Sequence, residues 1–167
     1  MRSARIKPDK PGPGQESVWD YPRPPRVEKV SAAVEIRLGG RVIARSDSTL
    51  RVLETSHPPV YYVPVEDFED GVLRPTAGAS WCEYKGQAAY FDLVAGETVA
   101  AKAAWGYPTP SPGYGELVGT VAVYPGRVDS CTVGDETVRA QAGDFYGGWI
   151  TSGIVGPFKG EPGTQGW

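Results

Sequence analysis

Glycine and proline interrupt this chain so often, at 22 and 16 of its 167 residues, that it could not carry a helical bundle without broken helices. Between the interruptions lie short runs rich in β-branched and aromatic residues. Val34, Ile36 and Leu38 alternate with Glu35 and Arg37, Gly39-Gly40 follows, and Arg41 to Arg45 resumes the pattern. That is the signature of a two-residue hairpin with one polar face. Further strands are expected at Leu50 to Glu54, Val60 to Val63, Ser80 to Tyr84, Gln87 to Val94 and Thr98 to Trp105. A remaining strand pair is expected at Thr120 to Tyr124 and Val128 to Val133, with Gly134-Asp135 turning the chain into Thr137-Val138-Arg139. The acidic stretch Val65 to Gly71 reads as a short helix or loop. Strands at hairpin spacing predict a mainly β chain whose antiparallel sheets pack on each other or curl into an open barrel. A chain of this length is expected to form one core.

The two ends differ from the middle. Residues 1–29 carry six prolines, seven basic residues and four acidic ones, with almost nothing apolar before Val18. They read as a Pro-rich arm, partly extended, which Trp19 and Tyr21 hold to the body. Residues 30–142 form the β body. Residues 143–167 are Gly-rich and aperiodic, yet contain Phe145, Tyr146, Trp149, Ile150, Val155, Phe158 and Trp167. Disordered tails are poor in aromatics, so an irregular segment packed on the domain is expected.

A net charge of −3 offers no general attraction to polyanions, and no basic patch stands out in the body, so neither nucleic acid nor membrane is an expected partner. No apolar run approaches the roughly 20 residues of a membrane helix. The start, Met1 to Lys10, is charged and has no signal-peptide core, so a cytoplasmic protein with reduced thiols is expected. Cys82 and Cys131 belong to no CxxC or Cys/His cluster, so no metal is expected; a disulfide between them stays open on sequence alone. No phosphate loop, nucleophile elbow or dinucleotide fingerprint is present, and no cofactor is expected. Oligomeric state is not legible.

Three groups of residues are candidates for chemistry. His57 follows Glu54-Thr55-Ser56 and precedes two prolines, so a carboxylate stands near a turn imidazole that could serve as general base. Trp81-Cys82-Glu83-Tyr84-Lys85-Gly86 places a thiol and an amine within one strand and its turn. If that strand stays regular to its end, Cys82 and Tyr84 face one way and Lys85 the other. Cys82 then behaves as a small buried hydrophobe and Lys85 as a solvated turn residue. Tyr61, Tyr62, Trp81, Tyr84, Tyr90, Trp105, Tyr107, Tyr114 and Tyr124 crowd the central strands and their loops, with more polar tips than a purely apolar core would use. Such residues line small-molecule pockets, or they serve as core bulk.

Four segments carry a resemblance. Leu53-Glu54-Thr55-Ser56-His57-Pro58-Pro59-Val60-Tyr61-Tyr62-Val63-Pro64, Cys82-Glu83-Tyr84-Lys85-Gly86, Ala103-Ala104-Trp105-Gly106-Tyr107-Pro108 and Val121-Ala122-Val123-Tyr124-Pro125 resemble the successive signatures of the domain of unknown function 427 family. The likeness spans about Val34 to Val138, and the flanks resemble the longer, actinobacterial-type form. It implies a β-tent fold, in which two antiparallel sheets lean together over a cleft, with few short helices. Relatives with that fold often hold zinc through two Cys pairs, which this chain lacks. A nucleotidyltransferase label also travels with the family, but no paired carboxylates stand beside a Gly-Ser turn here. Glu83 occupies a position where the family commonly has proline. The leading expectation is a domain binding a small ligand in a cleft lined by Tyr61, Tyr62, Tyr84, Tyr90, Trp105 and Tyr107, with His57, Cys82 and Lys85 at its polar end. The alternatives are an enzyme using the same cleft, through thiol or general acid/base chemistry, and a protein-interaction scaffold.

Overall fold

The computed structural model describes residues 6–143, 146–161, 163, 164 and 167; Phe145 of the expected tail contacts lies outside them. The strands in chain order are β1 (Glu16–Ser17), β2 (Arg26–Lys29), β3 (Val34–Leu38), β4 (Arg41–Ser46), β5 (Leu50–Leu53), β6 (Val60–Pro64), β7 (Leu73–Cys82) and β8 (Gly86–Ala95). They continue with β9 (Thr98–Gly106), β10 (Thr120–Val123), β11 (Ser130–Val133), β12 (Glu136–Thr137), β13 (Arg139–Ala140), β14 (Trp149–Ile150) and β15 (Ile154–Val155). Among the described residues the only helical pieces are three-residue 3₁₀ turns, one of them Val65–Asp67 in the acidic stretch. The chain is therefore mainly β, as its spacing of turns and β-branched runs predicts.

Seven strands form one antiparallel sheet in the order β2-β5-β6-β10-β9-β8-β7, and four form a second in the order β12-β11-β3-β4. The larger sheet begins at β2 and ends at β7 without closing into a barrel. The hairpin read at Gly39-Gly40 is present, with Leu38 opposite Arg41. The expected pairing of the strands near 120 and 130 is not: β10 lies between β6 and β9, whereas β11 lies between β3 and β12. The 3₁₀ turn Pro125–Arg127 carries the chain from one sheet to the other, so strands adjacent in sequence are not partners. Residues read as the end of the arm also enter the larger sheet, because β2 pairs with β5 from Arg26↔Leu53 to Lys29↔Leu50.

Side-chain alternation divides the interior. Val34, Ile36, Ile43, Tyr61, Val63, Leu93, Val121 and Val123 meet between the sheets in the main core, which Trp149 completes. The opposite face of the seven-stranded sheet carries Val52, Tyr62, Ala88, Trp105 and Ala122, covered in part by Tyr107, Tyr114 and Leu117 from the connection between β9 and β10. Each large apolar side chain removed from water in this way contributes roughly 1.5–3 kcal/mol.

The ends of the described chain meet. β1 runs parallel to β15, with Glu16 opposite Ile154. Val18, Tyr21, Leu53, Ile150 and Ile154 form a third apolar cluster, and the Trp19 indole N–H donates to the Pro157 carbonyl at 2.9 Å. Trp149 stacks on Tyr61 at 4.7 Å between ring centres and donates its indole N–H to Val123 at 3.0 Å.

Candidate functional site

Strand register builds the site's floor. Tyr62 on β6 stands opposite Ala122 on β10, Ala122 opposite Trp105 on β9, and Trp105 opposite Tyr90 on β8. Residues facing one another across neighbouring strands share a face of the sheet. The row thus places a small alanine between two large rings, and Tyr62 and Trp105 meet edge-on across it at 6.4 Å. Above this row opens a cavity of about 450 Å³, whose walls include Val60, Ser80, Cys82, Tyr84, Lys85, Tyr107 and Tyr124. It lies on the outer face of the seven-stranded sheet, since the space between the two sheets is filled by the main core.

The polar side of the cavity depends on where β7 stops. The strand ends at Cys82, not Tyr84, and Glu83 to Lys85 form the turn into β8. Gly86, at φ +104°, allows that reversal, and the Lys85 carbonyl accepts a hydrogen bond from the Ser111 amide at 2.9 Å. Strand alternation therefore does not reach Lys85. The turn brings it into the same cavity as Cys82, overturning the expectation of opposite faces and of a solvated amine. Lys85 is only 8% exposed, and its ammonium stands 5.8 Å from the centre of the Tyr107 ring. Burial raises the Tyr62 and Tyr107 phenols well above their ordinary range, so both remain neutral hydrogen-bonding groups at physiological pH. The Ser80 and Tyr90 hydroxyls share a hydrogen bond of 2.7 Å on the adjacent wall.

A second polar end is formed by the loop after β5. Ser56 holds a left-handed backbone at φ +73°, its amide donating to Val18 at 3.0 Å and its carbonyl accepting from the Lys159 amide at 2.8 Å. Both flanking segments thus pin a conformation that a non-glycine residue seldom adopts, and His57 follows it into the cavity wall. The His57 Nδ1–H donates to the Thr55 carbonyl at 2.9 Å, because a carbonyl oxygen can only accept; Nε2 then carries the lone pair. Burial holds the imidazole below its ordinary value of 6.5, although Glu54, 3.8 Å away, pulls the other way. Glu54 also faces Arg23 at 3.6 Å.

Of the residues singled out from sequence, Glu54, His57, Tyr62, Cys82, Tyr84, Lys85, Tyr90, Trp105 and Tyr107 border this cavity. Tyr61 does not: it sits on the other face of β6, in the main core against Trp149. Adjacent strand residues point to opposite faces, so only one of Tyr61 and Tyr62 can face the cavity. Trp81, Glu83 and Tyr124 border it as well, and sequence reasoning missed Arg23, Ser80, Tyr146, Gly147, Lys159 and Trp167, which complete its lining. Several come from the flanks, whose place depends on tertiary contacts. A Cβ at Gly147 would overlap the Trp105 indole, so the C-terminal segment lies directly against that ring. Cys82 and Cys131 are both free; Cys131 is buried in the main core, on the far side of the sheet from Cys82. Among the described residues no three His, Cys, Asp or Glu side chains converge as a metal-binding group.

An open seven-stranded sheet, backed by a smaller one and carrying an aromatic-floored cavity on its outer face, defines a mainly β domain with one prominent concave site. Residues 26–134 match the family described as Domain of unknown function (DUF427), and the chain belongs to that family. No curated protein matches it. Arg23, Tyr146, Lys159 and Trp167 lie outside the matched range, so part of the cavity wall comes from beyond the family segment.

Proposed function

We propose that this protein binds a small ligand in the aromatic cavity. The observation that carries the reading is the juxtaposition of an apolar ring floor, Tyr62, Trp105 and Tyr90, with a few polar groups at the ends of a cavity of about 450 Å³. That volume and that mixture of surfaces suit small organic molecules. The test is ligand-observed NMR with indole and naphthalene derivatives. Binding is expected to the native protein and to be lost in Cys82→Trp, which fills the cavity from the end of β7, and in Gly147→Val, which drives a side chain into Trp105. Equal binding by both variants, with their fold retained by circular dichroism, would place the ligands elsewhere and end the proposal.

The hydrogen bonding of His57 favours a second reading. A neutral imidazole with its Nδ1–H held by a carbonyl and its Nε2 lone pair unprotonated has the form of a general base. An enzyme using the cavity would take a proton there, with Glu54 stabilising the resulting imidazolium. Its mark would be turnover of a bound molecule that His57→Gln abolishes without weakening binding.

A further inference from the structure

We infer that the cavity selects an organic anion with a flat unsaturated body, an aryl carboxylate by class, whose acid group is received by the Lys85 ammonium. The inference rests on the ligand-binding reading and adds the chemistry of the ligand.

Lys85 carries it. Its side chain is more than nine-tenths buried, borders the cavity, and among the described residues has no hydrogen-bond or ion-pair partner. The ring of Tyr107, at 5.8 Å, meets the ammonium with its π face but supplies no compensating charge. An ammonium that reaches the cavity with no protein partner is placed to make a charge-assisted hydrogen bond with an anionic ligand that enters there. The other carboxylates and basic side chains bordering the cavity are Arg23, Glu54, His57, Glu83 and Lys159. Arg23 and His57 face Glu54, and the Lys159 ammonium donates to the Trp167 main-chain oxygen at 2.8 Å. Glu83 is exposed and makes no ion pair with Lys85. The same cavity is bordered by rings, with Tyr62 and Trp105 meeting edge-on and Tyr107 tilting against Tyr62 at 6.3 Å, a setting for a flat π surface.

The experiment compares naphthoate with its uncharged amide, naphthamide, by isothermal titration calorimetry on the full chain. A carboxylate can pair with the Lys85 ammonium and an amide cannot, so the native protein is expected to prefer naphthoate by at least about tenfold. Lys85→Met, which replaces a buried charge by an apolar chain of similar length, is expected to bind the two equally. Lys85→Arg, which keeps the charge, is expected to retain a preference for the acid. Equal binding of acid and amide by the native protein, or an undiminished preference in Lys85→Met, would overturn the inference while leaving cavity binding intact. Failure of both probes to bind at millimolar concentration, with none of the indole or naphthalene probes binding by NMR, would remove both readings together.

Discussion

His57 is the only histidine of the chain, so its titration can be followed without ambiguity. Burial lowers its folded-state pKa below that of the unfolded chain. As pH falls, the unfolded chain takes up this proton first, so the stability associated with neutral His57 is complete above about 6.5 and is lost progressively below it. The imidazole NMR signals are therefore expected to titrate below 6.5, and His57→Gln to flatten the loss of stability between about pH 7 and pH 5. A midpoint above 6.5 would mean that Glu54 outweighs burial. The two thiols give a second contrast. Burial pushes Cys131 up to about 12, whereas Cys82 is half-buried at the cavity wall. Iodoacetamide is expected to modify Cys82 first, and a cavity ligand to protect it; peptide mapping of both cysteines checks this. Faster modification of Cys131 would contradict the assignment of the two residues to core and cavity.

At the scale of elements, the hairpin at Gly39-Gly40 was legible from alternation around a turn signal, and β5, β6, β8 and β9 from short apolar runs bounded by turn residues. Where the structure departs from the sequence reading, the causes are mostly tertiary. The Glu83 to Lys85 turn is built by Gly86 and by a backbone contact from Ser111, a residue far along the chain; Gly86 signals a turn in the sequence, but not that β7 already stops at Cys82. Tyr61 lies in the core and Tyr62 at the cavity because adjacent residues of β6 face opposite ways, a difference that aromatic density alone does not encode. The separation of β10 from β11 is topological, and hairpin-length spacing does not encode it. The C-terminal segment offers the sharpest test at this scale. Trp149 is enclosed between Tyr61 and the Val123 carbonyl, so Trp149→Ala should cost about 3–5 kcal/mol and lower the melting temperature by on the order of 10 °C. Calorimetry would show this, and an unchanged melting temperature would mean that the segment is not part of the cooperative unit.

At the scale of the whole molecule, the two sheets enclose an apolar core while the outer face of the larger sheet holds the cavity. The two faces of the same strands thus differ: Tyr61, Val63, Val121 and Val123 lie in the core, and Tyr62 and Trp105 border the cavity. The arm before β2 and the segment after β13 complete the wall through Arg23, Tyr146, Lys159 and Trp167. Occupancy of the cavity should therefore couple to the ordering of both flanks. The central claim, that the cavity holds a small molecule, is tested most directly by native mass spectrometry of the protein purified from its own host under gentle desolvation. The account predicts a discrete small-molecule adduct on the native chain that disappears in Cys82→Trp; a bare polypeptide mass for the native chain, or an adduct equally abundant in the variant, would contradict it.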